Sequence, residues 1–261
     1  MATNKTVRRP IANVSIWGTT FIHKRDPTII ACWSLAFPGF GHILLHKYTR
    51  GFALIIWEVF INQSTRLNEA MVYSFLGNIE MAKAVLNPNT VFMYIPIYFF
   101  SIWDSHRTTI GMNNLQILAE AEKGNPEIPA LIIKPFEINY LDKRRPLVAL
   151  AWSMALPSLG QLYLHQIFSA IFTLVMIIVF NYYSHFVEGI YYLFQGNIDK
   201  STEVLDKQWL MYMPSLYLFS MFESYMNTVE YNKLHQVEQR HFLIENFQPK
   251  RFKVKKGIKV K

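Results

Sequence analysis

Two stretches of the chain repeat each other at a fixed offset of 119 residues. Residues 24–47 align without a gap with residues 143–166, and the offset continues through Gly77-Asn78-Ile79-Glu80 over Gly196-Asn197-Ile198-Asp199. A period of this length exceeds the roughly 20–50 residues of a solenoid unit. We therefore interpret the chain as two copies of one membrane half. The matched positions of the first stretch are Lys24/Lys143, Arg25/Arg144, Pro27/Pro146, Trp33/Trp152, Ser34/Ser153, Ala36/Ala155, Pro38/Pro157, Gly41/Gly160 and His46/His165.

The composition favours a membrane protein. Hydrophobic residues make up 51% of the 261 residues and aromatic residues 15%, which is more apolar surface than a soluble domain of this size buries. The mean hydropathy is only +0.13 because long basic segments separate the apolar runs. We expect an all-α integral membrane protein of the cell membrane with substantial soluble flanks. Cys32 is the single cysteine, so no disulfide forms within the chain. The N-terminal sequence predicts no cleaved signal peptide.

Each repeat contains three apolar segments. Segment A (28–45 and 147–164) carries a helix breaker at its middle, Pro38-Gly39-Phe40-Gly41 in repeat 1 and Pro157-Ser158-Leu159-Gly160 in repeat 2. Segment B runs from Gly51 toward Leu76, and from Ala170 toward Phe194. Segment C covers 91–103 and 209–222 and is long enough to cross a bilayer if its helix begins near Asn87 and continues past Trp103. We expect segments B and C to span and segment A to re-enter the membrane or lie in its interface.

The distribution of basic residues selects a topology. If segment A does not span, there are four crossings, and 22 Lys and Arg residues lie on the side of the termini against 4 on the other side. If segment A spans, the division is 16 against 10. The positive-inside rule favours four crossings with both termini cytoplasmic. Both pseudo-symmetric halves then enter the membrane from the cytoplasm, and we expect a pseudo-twofold axis along the membrane normal to relate them.

The expected domains follow from this topology. They are a basic cytoplasmic segment (1–26), membrane repeat 1 (27–122), a linker (123–142), membrane repeat 2 (143–241) and a basic tail (242–261). Residues 13–22, 131–141 and 250–260 are rich in β-branched and aromatic residues, which predicts either strands of one small cytoplasmic sheet or extended tails. Residues 104–122 and 223–241 are expected to prolong segment C as polar helices. Asp104 and Glu223 are expected to end segment C at the cytoplasmic edge, capping the helix or pairing with Arg107.

A stripe of polar residues follows one predicted helix face of segment B in each repeat. Amide, hydroxyl, cation-capable and carboxylate side chains recur at spacings i, i+3, i+4 and i+7. Facing stripes would form a polar cleft between the repeats; alternatively the stripes lie beyond the bilayer, with Arg66 and Glu69 paired. The stripes are Asn62, Thr65, Arg66 and Glu69 in repeat 1 and Asn181, Ser184, His185 and Glu188 in repeat 2.

Glu58 extends the first stripe into the apolar part of segment B, about 10 Å from Gly51 along a helix. A carboxyl group at that depth is either functional, for example in proton coupling, or satisfied by hydrogen bonds. His42, His46 and the neighbouring helices are the expected partners in the second case.

The sequence contains no recognisable catalytic or cofactor motif. His46/His165, with His42/Gln161, fall short of the three or four convergent ligands of a metal site, and we assign them a structural or interfacial role. No cofactor is expected. The C-terminal bases are expected to bind anionic lipid headgroups beside the bilayer and not nucleic acid. They include Lys250, Arg251, Lys253, Lys255 and Lys256.

Segments A and B resemble the TM2-type bacterial membrane modules. The residues that carry the resemblance are Gly39, Gly41, His42, Lys47, Tyr48, Gly51 and Trp103-Asp104 in repeat 1, and Gly160 and Tyr163 in repeat 2. Ala170 and Glu223 replace a glycine and the aspartate in the second half. The resemblance implies membrane insertion and little about activity.

We therefore expect a non-enzymatic scaffold or accessory subunit of a membrane assembly. Its partners would be the lipid bilayer and either another protein or a second copy of the chain. The alternative is a small transporter or channel-like protein that uses the cleft between the stripes.

Overall fold

The computed structural model describes residues 9–122 and 128–247. The protein is mostly helical (74%) with two small sheets. The predicted strand at 250–260 and the lipid-binding bases Lys250, Arg251, Lys253, Lys255 and Lys256 lie outside the described residues. The elements are β1 (Ala12–Ser15), β2 (Gly18–Phe21), α1 (Pro27–Ala36), α2 (Phe40–Leu44), α3 (Tyr48–Thr65), α4 (Leu67–Phe75), α5 (Ile79–Val85), α6 (Pro88–Ala121), β3 (Leu131–Ile133), β4 (Ile138–Tyr140), α7 (Pro146–Ala155), α8 (Leu159–Tyr163), α9 (Ile167–Ser184), α10 (Phe186–Phe194), α11 (Ile198–Val204), α12 (Lys207–Leu210) and α13 (Tyr212–Phe247).

The repeat is visible in the element boundaries. Helices α1 to α5 recur as α7 to α11 with both ends displaced by 119 residues. The backbone also repeats its unusual conformations, because positive φ angles occur at Arg66 (55°) and His185 (54°) and at Gly77 (77°) and Gly196 (75°). The hairpins β1–β2 and β3–β4 occupy equivalent places, so each repeated unit begins with a hairpin before the Lys-Arg-x-Pro motif.

The two hairpins replace the single sheet that the sequence suggested. Residues 13–22 do not form one strand, because the chain turns at Ile16-Trp17 and pairs with itself, with Ala12 opposite Phe21. Residues 131–141 do the same, with Ile133 opposite Ile138. The hairpins contact each other through the Asn139 side-chain amide, which donates to the Ser15 carbonyl oxygen over 2.7 Å. Each is too small to be stable alone and packs on the end of α13.

Segment A is broken where its proline and glycine predicted. In repeat 1 the chain leaves α1 at Phe37 and enters α2 through Gly39, whose φ is +100°. Repeat 2 makes the same turn with Ser158 at φ +107°. A residue with a side chain is strained at this φ, and the Ser158 hydroxyl is buried without a hydrogen-bond partner among the described residues.

Replacing Ser158 by glycine is expected to stabilise the protein. Glycine removes both the strain at φ +107° and the unpaired buried hydroxyl, so the free energy of unfolding should rise by about 1 kcal/mol. The thermal midpoint of the purified protein in detergent measures the change. The reciprocal variant Gly39→Ser is the control and should lower the midpoint. A lower midpoint for Ser158→Gly would show that Ser158 does not destabilise this turn.

Segment B is not one helix from 51 to 76, as the sequence suggested. It divides into α3 and α4 at Arg66, and into α9 and α10 at His185, both in the left-handed conformation. The carbonyl groups at the end of the first helix are satisfied by the downstream chain. Thr65 accepts a hydrogen bond from the Asn87 amide over 3.1 Å, and Ser184 accepts one from the Asp206 amide over 3.2 Å. The helix therefore ends at the same place in both repeats.

Segment C forms the long helices of the molecule. Helix α6 has 34 residues and α13 has 36, so each extends about 50 Å. As predicted, α6 begins beside Asn87 and continues past Trp103. The expected prolongation of segment C over 104–122 and 223–241 is confirmed, so Asp104 and Glu223 lie in the interior of these helices and do not cap them.

Within the described residues, α9 is the one continuous helix that is both long and apolar enough to cross a bilayer. The pair α5–α6 also qualifies if its 90° bend is counted as one broken span. The equivalent of α9 in repeat 1, α3, carries Arg50 and Glu58. Helices α1 and α7 are apolar but too short.

The repeats pack on each other through different faces. Repeat 1 contributes α1, α2 and α3, whereas repeat 2 contributes α9 and α13. Phe40 stacks on Phe219 with ring centroids 3.9 Å apart, and Trp33 lies 4.9 Å from Phe222. This aromatic contact forms the centre of the hydrophobic core.

Candidate functional site

Both long helices bury polar residues at equivalent positions and expose some large apolar ones. In α6 the buried positions include Ser101, Asp104, Ser105 and Thr109, and the equivalent positions of α13 are buried as Ser220, Glu223, Ser224 and Thr228. On the same helices Phe99 is 64% exposed and Leu218 is 58% exposed. The polar interior thus contains the two carboxylates that the repeat places at equivalent positions.

The carboxylate of repeat 1 lies in a charged centre formed by His42, Arg50 and Asp104. The Oδ2 atom of Asp104 lies 3.0 Å from His42 Nε2 and accepts a hydrogen bond from Arg50 Nη1 over 2.6 Å. His42 and Asp104 are buried, while the Arg50 side chain is about half exposed. Helices α2, α3 and α6 each supply one member. Arg107 does not pair with Asp104 and instead lies over the Trp103 ring.

The carboxylate of repeat 2 is bonded to amide and hydroxyl groups, and we call this group the amide centre. Glu223 accepts hydrogen bonds from Gln161 Nε2 over 2.9 Å and from Ser169 Oγ over 3.1 Å. Gln161, Ser169 and Glu223 are the equivalents of His42, Arg50 and Asp104. The nearest positive charge is the Arg25 guanidinium of repeat 1, which acts on Glu223 without a direct hydrogen bond. The duplication thus preserved a buried carboxylate, while glutamine and serine replaced the histidine and arginine bonded to it.

Small residues allow the helices to approach closely enough to build these centres. Ser153 Oγ donates to Ser224 Oγ over 2.8 Å, which joins α7 to α13. Gly160 lies against both serines, and a Cβ atom added there would be 2.7 Å from the Ser224 Cβ. Gly41 has the same relation to Ser34 in repeat 1. Interfaces built from glycine and serine are typical of helices that associate in membranes.

An asparagine clamp holds each Lys-Arg-x-Pro motif. Asn113 accepts from the Arg25 backbone amide over 3.0 Å and donates to its carbonyl over 2.8 Å. Asn232 makes the same two bonds to Arg144, over 2.8 and 2.7 Å. This pair was not predicted from the sequence, although Asn113 and Asn232 share the 119-residue offset.

The first polar stripe is divided by the helix break at Arg66. Asn62 and Thr65 are buried, and the Asn62 amide donates to Glu58 Oε1 over 3.1 Å. Glu58 also accepts from the Tyr94 hydroxyl, so its partners are neither His42 nor His46. Arg66 is exposed and pairs with Glu69 over 3.2 Å, which is the pairing expected if the stripes lie beyond the bilayer.

Repeat 2 reaches this stripe through Gln208 and not through the second stripe. Gln208 Nε2 donates to Asn62 Oδ1 over 2.9 Å, and the Asn68 side chain donates to the Gln208 carbonyl over 3.0 Å. We call Glu58, Asn62, Asn68 and Gln208 the inter-repeat cluster. It joins the two repeats with buried hydrogen bonds and leaves its carboxyl between apolar helices.

The second stripe lies apart from the first. Ser184 is buried, Asn181 is half-buried, and His185 and Glu188 are about half exposed and 3.5 Å apart. The hydrogen bonds and ion pairs of the described residues do not join the two stripes. The polar cleft between the two stripes therefore stays a prediction.

A pair of half-buried histidines lies beside hairpin β1–β2, outside the apolar helices. Phe21 packs against the rings of both His23 and His46, with centroids 5.0 and 5.1 Å away. Burial, followed by the positive charges of Arg25 and Lys233 and by His46, lowers the pKa of His23 to about 2. Burial and Arg25 lower the pKa of His46 to about 3. Both imidazoles are therefore neutral in the folded protein at neutral pH.

These histidines predict that stability falls in mild acid. The unfolded chain binds protons below pH 6.5, whereas the folded chain does not bind them until pH 3 or below, so the contribution is complete above pH 6.5 and is lost as the pH falls. For the pair we expect a loss of about 2 kcal/mol between pH 6.5 and 5.5. Thermal midpoints across this range measure it. The double variant His23→Gln, His46→Gln should flatten the slope, whereas exposed His106→Gln should not; equal slopes in all three proteins would contradict the prediction.

A cleft of about 570 Å³ opens between hairpin β1–β2 and the distal ends of α6 and α13. Its volume lies in the range of small-molecule and peptide sites. The walls are apolar and the rim carries both signs of charge. The lining residues are Ile11, Phe21, Ile22, His23, Gln116, Ala119, Glu120, Glu122, Glu230, Lys233, Leu234, Val237 and His241.

Comparison with known proteins gives no matching family model, no matching curated protein and no matching solved structure. The resemblance to TM2-type modules therefore stays a prediction that rests on the residues quoted for it.

Proposed function

We propose that the chain is a multi-pass membrane protein that acts as a non-enzymatic scaffold or accessory subunit of a membrane assembly. The observation that carries the proposal is the polarity of α6, which buries Ser101, Asp104, Ser105 and Thr109 and exposes Phe92, Phe99 and Phe100. In water this arrangement would cost free energy on both sides of the helix, whereas lipid favours it. Helices α3, α6, α9 and α13 are the proposed crossings, and α1–α2 and α7–α8 re-enter from the cytoplasm.

Cysteine accessibility tests the topology. In a Cys32→Ser background, Gly77→Cys and Gly196→Cys should react with an impermeant maleimide added outside intact cells. Phe136→Cys, which lies on hairpin β3–β4, should react only after the cells are opened. Labelling of Gly196→Cys only after opening would contradict four crossings with cytoplasmic termini.

The cleft beside hairpin β1–β2 is the proposed docking surface of the scaffold. It lies at the ends of the long helices, on the side that the charge distribution assigns to the cytoplasm. Val237 and Leu234 supply apolar wall, and Glu230 with Lys233 supplies polar rim. This combination suits a short protein segment with an apolar anchor and charged flanks.

A matched pair of variants on α13 tests the docking surface. Val237 lines the cleft, whereas Leu243 is exposed on the same helix outside it. Purification in mild detergent should recover a stoichiometric partner with the wild type and with Leu243→Glu, and lose it with Val237→Glu. Recovery of the wild type without a stoichiometric partner would count against the scaffold.

The second candidate function is a small transporter or channel-like protein. Its support is Glu58, a carboxyl group buried between apolar helices at the contact of the two repeats. Glu58→Gln keeps the size and one hydrogen-bond acceptor of the side chain, so the protein should fold and lose proton-coupled flux in vesicles. Unchanged flux, or no flux with the wild type, would exclude this candidate.

A further inference from the structure

The contact between the repeats is heterologous. Trp33 of repeat 1 packs on Phe222 of repeat 2, and Trp17 packs on Phe168 with ring centroids 5.1 Å apart. If a two-fold axis related the repeats, each contact would have a reciprocal partner 119 residues away. Those reciprocal pairs are Trp152 with Trp103, and Phe136 with Thr49. They do not form within the chain, because Trp152 is 50% exposed, Trp103 is 55% exposed and Phe136 is 92% exposed.

The contact between the repeats uses one surface of each repeat. The equivalent surface of the other repeat is left uncovered within the chain. Repeat 2 leaves its α7 face open around Trp152, and repeat 1 leaves its α6 face open around Met93, Phe100 and Trp103. The residues equivalent to these three, Tyr212, Phe219 and Phe222, pack in the inter-repeat core.

A polar group at the same surface points to the same conclusion. Asn62 Oδ1 accepts a hydrogen bond from Gln208 across the inter-repeat contact. Its equivalent, Asn181 Oδ1, is buried without a partner among the described residues. The equivalent of Gln208 is Asn89, which is exposed. A buried amide oxygen without a donor costs about 1–3 kcal/mol, and the half-buried Asn181 side chain would lose that cost by turning outward to an Asn89 of another copy.

We propose that a second copy of this chain occupies these faces, with repeat 2 of each copy docked on repeat 1 of the other. The resulting dimer is a closed ring of four repeats in which the contact seen within the chain recurs between chains. The two exposed surfaces are expected to fit each other, because the equivalent surfaces of the other repeat contact each other within each chain. Phe136 lies on a hairpin and not on an apolar helix, so lipid alone does not account for its exposure. This inference goes beyond the scaffold function and does not depend on it.

Thiol cross-linking in the full-length protein tests the contact. In the Cys32→Ser background, one tagged chain carries Phe136→Cys and a second, differently tagged chain carries Thr49→Cys. With a short bis-maleimide, co-expressed chains should give a cross-linked species of two chains carrying both tags. Each variant expressed alone should give no cross-linked dimer, because the proposed contact joins unlike positions.

Controls separate this result from misfolding and from random collision. Trp17→Cys with Phe168→Cys in one chain should cross-link within the chain and reports the folded repeat contact. Leu243→Cys, which is exposed on the cytoplasmic part of α13, replaces Phe136→Cys as the collision control and should not cross-link to Thr49→Cys. The inference is overturned if the intrachain pair reacts while the Phe136→Cys and Thr49→Cys chains do not. It is also overturned if light scattering in detergent gives the mass of one chain, or if Phe136→Cys cross-links to itself.

Discussion

Replacing Gly160 by alanine is expected to lower the free energy of unfolding by about 3 kcal/mol. A Cβ atom at this position would penetrate the Ser153 hydroxyl and lie 2.7 Å from both the Ala149 carbonyl oxygen and the Ser224 Cβ. Two of these three neighbours belong to α7, and the third belongs to α13. Relief requires the helices to separate, which would also break the Ser153–Ser224 hydrogen bond. Thermal unfolding in detergent measures the loss.

Gly111→Ala is the matched control for this substitution. Gly111 lies within α6 with no atom within 4 Å of an added Cβ, so alanine should leave stability unchanged or raise it by up to about 1 kcal/mol. If Gly160→Ala and Gly111→Ala give the same midpoint, the α7–α13 contact is not as close as described.

Replacing Asp104 by alanine is expected to cost about 3–5 kcal/mol. The substitution leaves His42 fully buried beside a cavity and removes the counter-charge of Arg50. Arg50→Ala should cost less, since the Arg50 side chain is about half exposed and water can replace part of its interaction. Midpoints of thermal unfolding for the two variants give the order directly.

The amide centre suggests a rescue of the charged centre. The triple variant His42→Gln, Arg50→Ser, Asp104→Glu reproduces in repeat 1 the side chains that surround Glu223 in repeat 2. It should be more stable than Asp104→Ala although it changes three residues. A triple variant less stable than Asp104→Ala would show that the two repeats do not offer equivalent surroundings.

Local features of the fold were predictable because local chemistry determines them. The proline and glycines of residues 38–41 end a helix whatever its tertiary contacts are, so they predicted the break in segment A. Residues 13–22 were predicted as one strand because β-branched and aromatic residues continue through the turn at Ile16-Trp17. Only Gly18 marks that turn. The breaks at Arg66 and His185 carry no breaker residue. They depend on the distant amides of Asn87 and Asp206, which a helix-face argument does not include.

The candidate site was less predictable because it depends on tertiary contacts. Asp104 and Glu223 align at the repeat offset, but the sequence placed them at a membrane edge because Arg107 and polar helices follow. The structure places both in the interior of long helices, each bonded to α2 or α8 and to α3 or α9. The pseudo-twofold relation expected between the repeats is not seen in their aromatic contacts, because aligned sequences do not state which faces meet.

The divergence of the two buried centres has a consequence for the history of the fold. A chain with a single repeat would assemble from identical units, and every buried carboxylate would have identical neighbours. Covalent fusion of two repeats allows one unit to keep a histidine and an arginine while the next carries glutamine and serine. Two chemically distinct environments then occupy equivalent places in a single architecture.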